Sequence, residues 1–398
     1  MSPRSLKVGV YVLTALSSVA SSYYLNYQFF FLHDQFGFGN RANLWVAALH
    51  GAVYVLAAWQ GGRFAERYGY ITSLKLGFAG LSLCMAAGMW WSHSAAATLA
   101  VIVVYTLVLL LIWPGLEALM TADVPPERVP HAVGVYNLTW SNAMAVSYFT
   151  GGPLYGWMGS HLVFALPGAI FLLQLLLVLW ATRRPAVPFV RPDVAERVVP
   201  VLAAPIGVAT GGERSPMFLQ LAWMANPLAY VAIYTLFAVM PDLAQRLGLS
   251  PARVGLFCSV WLFARMASFI VLWQWTGWHY RFRWLAVGYV LLVASFLSVV
   301  MAPSLTVVVV AQIFFGAATG LIYYSSLFYA MDLSDARAEH GGLHEAAIGI
   351  GICAGPALGA VSLHLFPAVP HAGTFAVGTL LAAGFVALLS TRRRALRR

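Results

Sequence analysis

Apolar stretches of about twenty residues alternate with short polar connections from one end of the chain to the other. They lie at 8–32, 43–62, 71–91, 95–119, 132–158, 162–182, 217–240, 253–275, 284–301, 305–330, 343–363 and 371–391. Each is long enough to cross the hydrocarbon core of a bilayer as a helix. The pattern therefore predicts an all-α integral membrane protein with twelve transmembrane helices. Only Ala302-Pro303-Ser304 separates crossings nine and ten, which makes that connection tight. The longest polar connection, 183–216, holds Arg183, Arg184, Pro185, Pro188 and Pro192. It is expected to be a cytoplasmic linker between a six-helix unit at 1–182 and another at 217–398.

Composition sharpens this picture. The chain is 61% hydrophobic and 9% charged, with a mean hydropathy of +0.79. A soluble domain carries charge on about a quarter of its residues. If both ends face the cytoplasm, 19 of the 23 basic residues fall in inner connections, and the outer ones hold only Arg41, Arg246 and Arg253. That bias follows the positive-inside rule and supports an even count in each half. The formal charge of +10 does not read as a nucleic-acid footprint, because its arginines sit in short connections. Arg4 and Lys7 before an apolar run imitate a signal peptide. The run continues through Tyr23, Tyr24 and Phe31 without a clear small-residue cleavage site, so a retained first helix is expected. Cys84, Cys258 and Cys353 all lie in apolar runs, where neither a disulfide framework nor a metal site is indicated.

The two halves echo each other. Asp34 and Asp242 end crossings one and seven, Asp123 and Asp332 close crossings four and ten, and Gly151-Gly152-Pro153 matches Ala354-Gly355-Pro356 in crossings five and eleven. The offsets are 208, 209 and 203 residues. Such duplication is what carriers use when two similar halves rock about a site near the bilayer midplane. Between crossings two and three stands Gly62-Arg63-Phe64-Ala65-Glu66-Arg67-Tyr68-Gly69. This stretch resembles the signature Gly-x-x-x-Asp-Arg-x-Gly of the major facilitator superfamily. Spacing agrees at every position, with Glu66 for the usual Asp and Tyr70-Ile71 for the usual basic pair. The second-half counterpart, Gly277 to Arg283, lacks the acid, whereas Gly151 to Gly156 follows the family's glycine-proline pattern in helix five. The resemblance covers about residues 8–391 and is to the compact bacterial type. It implies two pseudo-symmetric six-helix bundles, both termini in the cytoplasm, and a latch at Gly62, Glu66, Arg67 and Gly69.

Polar residues inside crossings are costly and mark functional candidates. Arg265 sits near the centre of crossing eight, where it is expected to hold an anionic part of a solute or pair with a titrating acid. Glu117, Asp34 and His50 are the candidate proton-coupling groups, although Asp34 and Asp242 also suit helix-end caps. Tyr23, Asn26 and Tyr27 share a face of crossing one, and Asn226, Tyr230 and Tyr234 recur every four residues in crossing seven. Family helices one, four, seven and ten line the cavity, which makes these six residues cavity candidates by resemblance. Tyr323, in the polar run Tyr323-Tyr324-Ser325-Ser326, is expected to face protein or cavity. In the charged connection Asp332 to Glu345, the residues Asp332, Arg337 and Glu339 are expected to form an inner gate. The spacing of His340, His344 and Glu345 matches no standard metal motif.

No catalytic constellation and no soluble cofactor domain can be found, which argues against an enzyme. The expected function is a secondary active transporter that moves a small organic solute by alternating access, as a proton-coupled exporter in a bacterial inner membrane. Alternatives are an uptake permease for an organic anion or sugar, or a receptor or scaffold without transport. Expected partners are a small organic solute, protons and membrane lipids, with a monomeric chain and no cofactor, metal or nucleic acid.

Overall fold

The computed structural model describes residues 3–122, 124, 128–183, 215–333 and 338–397. Among these the regular structure is helical. Three continuous helices open the chain: α1 (Pro3–Phe36), α2 (Asn40–Tyr68) and α3 (Tyr70–Trp90). Crossing four is made of α4 (Ala95–Leu109) and α5 (Trp113–Thr121), crossing five is α6 (Val129–Met158), and crossing six is α7 (Ser160–Val163) with α8 (Ala165–Thr182). Then come α9 (Ser215–Arg246), the pair α10 (Pro251–Cys258) and α11 (Val260–Gln274), and α12 (Phe282–Val300). The last three are α13 (Leu305–Leu333), α14 (Ala338–Leu365) and α15 (Ala372–Ala395). Eleven spans are long and apolar enough to cross a bilayer, and α6, at 30 residues, completes the twelve. The linker at 184–214, Asp123 and Arg337 lie outside the described residues, as do the side chains of Asp332 and Glu339.

Three crossings are broken where the sequence reading has them continuous, crossing six only near its start at Phe164. In crossing four the cause is Pro114, which has no N–H to donate. The preceding turn tightens, with Leu111 and Ile112 donating to the carbonyls of Val108 and Leu109 at 3.0 and 3.2 Å. Ser73 donates to the Leu111 carbonyl at 2.5 Å. In crossing eight the chain breaks at Ser259, and buried Gln312 spans the gap. Its Nε2 donates to the Phe257 carbonyl at 2.7 Å, and its Oε1 accepts from the Trp261 N–H at 3.4 Å. Both devices satisfy backbone groups that lipid would leave bare.

Side chains fix the helices against one another. Buried Gln174 on α8 donates to the Leu13 carbonyl and the Ser17 hydroxyl of α1, both at 2.8 Å. Lys7 donates to the Leu119 and Met120 carbonyls at 3.2 and 2.8 Å, and also to that of Ala122, placing a cation on the C-terminal carbonyls of α5. Residues before the linker meet those after it chiefly where α2 packs on α14 and where α6 packs on α10 and α11. These contacts run backbone to backbone. A Cβ on Gly51 of α2 would stand 2.6 Å from the Cys353 Cα and the Ile352 carbonyl carbon of α14, and a Cβ on Gly255 of α10 would stand 2.6 Å from the Gly152 nitrogen of α6.

Candidate transport cavity

On one side of this glycine seam the helices part, and a cavity of about 440 Å³ lies between them. It runs from His50 on α2 down to Gly62 and Glu66, about 24 Å of helix at 1.5 Å per residue. Its wall comes from α1, α2, α3, α4, α5, α6, α9, α11, α13 and α14.

The break at Pro114 restarts the chain as α5, and Glu117, the fifth residue of that helix, faces the cavity as an exposed carboxylate. It accepts from the Tyr136 hydroxyl of α6 at 3.4 Å. Glu345 on α14 also lines the cavity, within electrostatic reach of Glu117, and accepts from the Tyr54 hydroxyl of α2 at 2.6 Å. That bond ties residues 291 positions apart.

Arg265 is 3% exposed and lies at the cavity wall. Its guanidinium carbon stands 4.9 Å from the Tyr323 ring centre, 5.3 Å from that of Trp140 and 5.6 Å from that of Phe269. The Tyr230 hydroxyl lies beside it. Among the described residues, the Nε and Nη2 atoms of Arg265 have no hydrogen-bond partner.

His50 is 1% exposed and stacks on Tyr234, with ring centres 5.6 Å apart and planes at 16°. Its Nδ1 is 2.7 Å from the Thr106 hydroxyl, which itself donates to the Ile102 carbonyl at 2.7 Å. With its hydrogen so committed, the hydroxyl accepts from Nδ1–H, which leaves Nε2 as a bare acceptor.

Among the expected cavity residues, Tyr230, Tyr234, Arg265 and Tyr323 line the space. Tyr23, Asn26, Tyr27 and Asn226 do not. Tyr23 meets the Thr150 hydroxyl at 3.0 Å, and Tyr27 donates to the Tyr148 carbonyl at 2.6 Å while packing on Gly151. Asn26 donates to the Ser22 hydroxyl at 2.7 Å, and Asn226 is 1% exposed. On α1 the aromatic stripe faces α6, and it is the stripe Ser18, Ser21, Ser22 and Leu25 that faces the cavity. Asp34 lies outside the cavity as well, exposed and accepting from the Tyr155 hydroxyl at 2.9 Å. Of the signature, Gly62 and Glu66 reach the cavity's edge. Gly69, with φ of +90°, makes the turn into α3 in a conformation that suits glycine, and exposed Arg67 lies over the Tyr68 ring. The sequence reading missed Tyr54, Tyr136 and Trp140 as wall residues. Tyr54 was signalled by its position four after His50, and Trp140 by its position three after Asn137.

The model of the Major Facilitator Superfamily matches residues 10–225. The chain belongs to this superfamily. Its architecture is similar to the crystal structure of the nucleoside transporter NupG, with a TM-score of 0.69 at 10% identity, covering 98% of this chain and 99% of that one. It is also similar to a bacterial homolog of the human lysosomal transporter Spinster in an inward-facing, unoccupied conformation. There the TM-score is 0.64 at 16% identity, covering 99% and 93% of the two chains. At such identities the likeness speaks to the fold. No curated protein matches in sequence. The chain is accordingly a multi-pass membrane protein and a secondary transporter of a small solute, with the twelve-helix superfamily fold, and not an enzyme.

Proposed function

We propose that this carrier exports a small organic solute across a bacterial inner membrane by alternating access coupled to proton entry. The observation that carries the reading is a pair of carboxylates, Glu117 and Glu345, that share one cavity but come from opposite sides of the linker. A carboxylate whose surroundings change between two states changes its proton affinity, and that difference links proton movement to solute movement. The moving bodies would be 1–182 and 217–398, joined by 183–216, with both ends in the cytoplasm. The 203- to 209-residue offsets and the inward bias of basic residues support this division. By the same bias, the cavity edge at Gly62 and Glu66 lies on the cytoplasmic side, so the solute would enter from the cell interior.

The test uses the full chain in proteoliposomes with an imposed pH gradient and a panel of labelled organic solutes. Glu117→Gln and Glu345→Gln should lose gradient-driven accumulation while retaining solute-for-solute exchange. Undiminished concentrative flux in both variants would refute proton coupling through this pair.

A further inference from the structure

The unused hydrogen-bonding edge of Arg265 bears on the chemistry of the solute. Nε–H and the adjacent Nη2–H lie parallel on one side of a guanidinium, and together they match the two oxygens of a carboxylate. Both atoms are buried without a partner among the described residues, on a residue 3% exposed at the cavity wall. A buried charged donor left unsatisfied is costly, so an unpaired fork beside a cavity calls for an acceptor. The Tyr230 hydroxyl bonds to the guanidinium, but among the described residues none accepts from Nε or Nη2. Trp140, Phe269 and Tyr323 stand within 5.6 Å of the guanidinium carbon, and these rings hold it in place without satisfying its N–H groups.

The remaining wall narrows the class. Among the described lining residues Arg265 is the sole Arg or Lys, and three acids, Glu66, Glu117 and Glu345, face the same space. The single cation can match one negative charge, and three acids in the same space disfavour a second, as on a phosphate monoester. Next to Arg265 the wall is ring-rich, with Trp140, Tyr230, Tyr234, Trp261 and Tyr323. Flat side chains of this kind favour a flat, apolar body. We infer that Arg265 anchors a monocarboxylate through its Nε–Nη2 edge and that the adjacent rings take the solute's planar body, so the solute class is an aromatic or similarly planar monocarboxylic acid. This deepens the carrier reading and rests on it, but binding is measured without flux.

Purified full-length protein in detergent would be titrated by calorimetry and thermal shift with benzoate, benzyl alcohol, benzylammonium, phthalate and acetate. Benzoate is expected to bind about 10-fold or more tightly than each of the others, the discrimination that a charge-assisted fork provides. Arg265→Gln should lose that preference, and Arg265→Lys should recover only part of it, because an ammonium has no fork. Equal binding of benzyl alcohol or benzylammonium to wild type would overturn the inference, and this arm does not depend on any variant folding. Benzoate affinity unchanged in Arg265→Gln would also overturn it. So would absence of benzoate binding by about 1 mM, the upper end of ordinary KM values. Benzoate binding without flux of any solute would sink the transport reading and leave this site standing. Proton-coupled flux with no preference for carboxylates would do the reverse.

Discussion

The seam between α2 and α14 can be wedged open with a single methyl group. A Cβ at Gly51 would lie 2.6 Å from the Cys353 Cα and from the Ile352 carbonyl carbon, both of them backbone atoms. Carbon atoms rest at about 3.5–4.0 Å, so one helix must withdraw by about 1 Å. No flexible side chain stands there to yield. Overpacking of this kind costs about 1–3 kcal/mol. The cost falls only on the state in which α2 and α14 touch, so Gly51→Ala should shift the balance towards the state in which they part by about 5- to 150-fold. Cys353 is a built-in reporter, half-buried at the contact, while Cys84 and Cys258 are buried and can be replaced to silence them. The assay is the rate of maleimide labelling of Cys353 in the Cys84→Ala/Cys258→Ala background, with and without Gly51→Ala. Labelling should accelerate within that range, and Gly51→Leu should accelerate it further. If the rate stays the same in protein that keeps its elution profile and Tm, the seam is not the closing contact and the reasoning fails.

Other expectations can be checked in the same preparations. Tyr54→Phe removes the hydroxyl that bridges α2 to Glu345. It should change turnover by about 2- to 10-fold, in line with a bond worth about 0.5–1.5 kcal/mol, with solute affinity nearly unchanged; altered affinity at constant turnover would argue against a conformational tie. Gln174→Leu strands the Ser17 hydroxyl and the Leu13 carbonyl on α1. It should cost about 1–3 kcal/mol and lower Tm in detergent without changing ligand preference. If the solute is a monoanion exchanged for one proton, each cycle moves two charges. Export should then gain about 4.6 kcal/mol of driving force per 100 mV, and voltage-independent flux would exclude that stoichiometry. His279, in the connection after α11, stacks on Phe328 at 3.9 Å, and burial lowers its pKa to about 4. An unfolded histidine takes its proton near pH 6.5. Its contribution to stability is therefore full above about 6.5 and falls as pH drops towards 4, a loss that His279→Phe should remove from the Tm–pH profile.

The crossings were legible because lipid demands long apolar runs, and every run named from the pattern contains a helix or a broken pair of helices. Arg265 was legible for the same reason, as the one arginine deep in such a run. The break at Pro114 was written in the sequence, but its effect on Glu117 was not, because aiming that carboxylate depends on how α5 restarts against α6. The face of α1 was misjudged for a physical reason. Both of its stripes are polar, and the tyrosines drew attention, yet rings pack well against Gly151 while small serines suit the edge of an open space. The partnership of Tyr54 with Glu345 joins residues 291 positions apart, and no local periodicity announces it.

The seam at Gly51 and Gly255 is built of main chain rather than of charged side chains. Parting the backbone at Gly51 and Gly255 breaks many weak dispersion contacts and separates no charged side chains at those two points. The closing motion at that seam should therefore be nearly indifferent to ionic strength. Its tolerance should be set by shape instead, so that adding a single carbon at these positions does more than adding or removing a charge elsewhere on the same face.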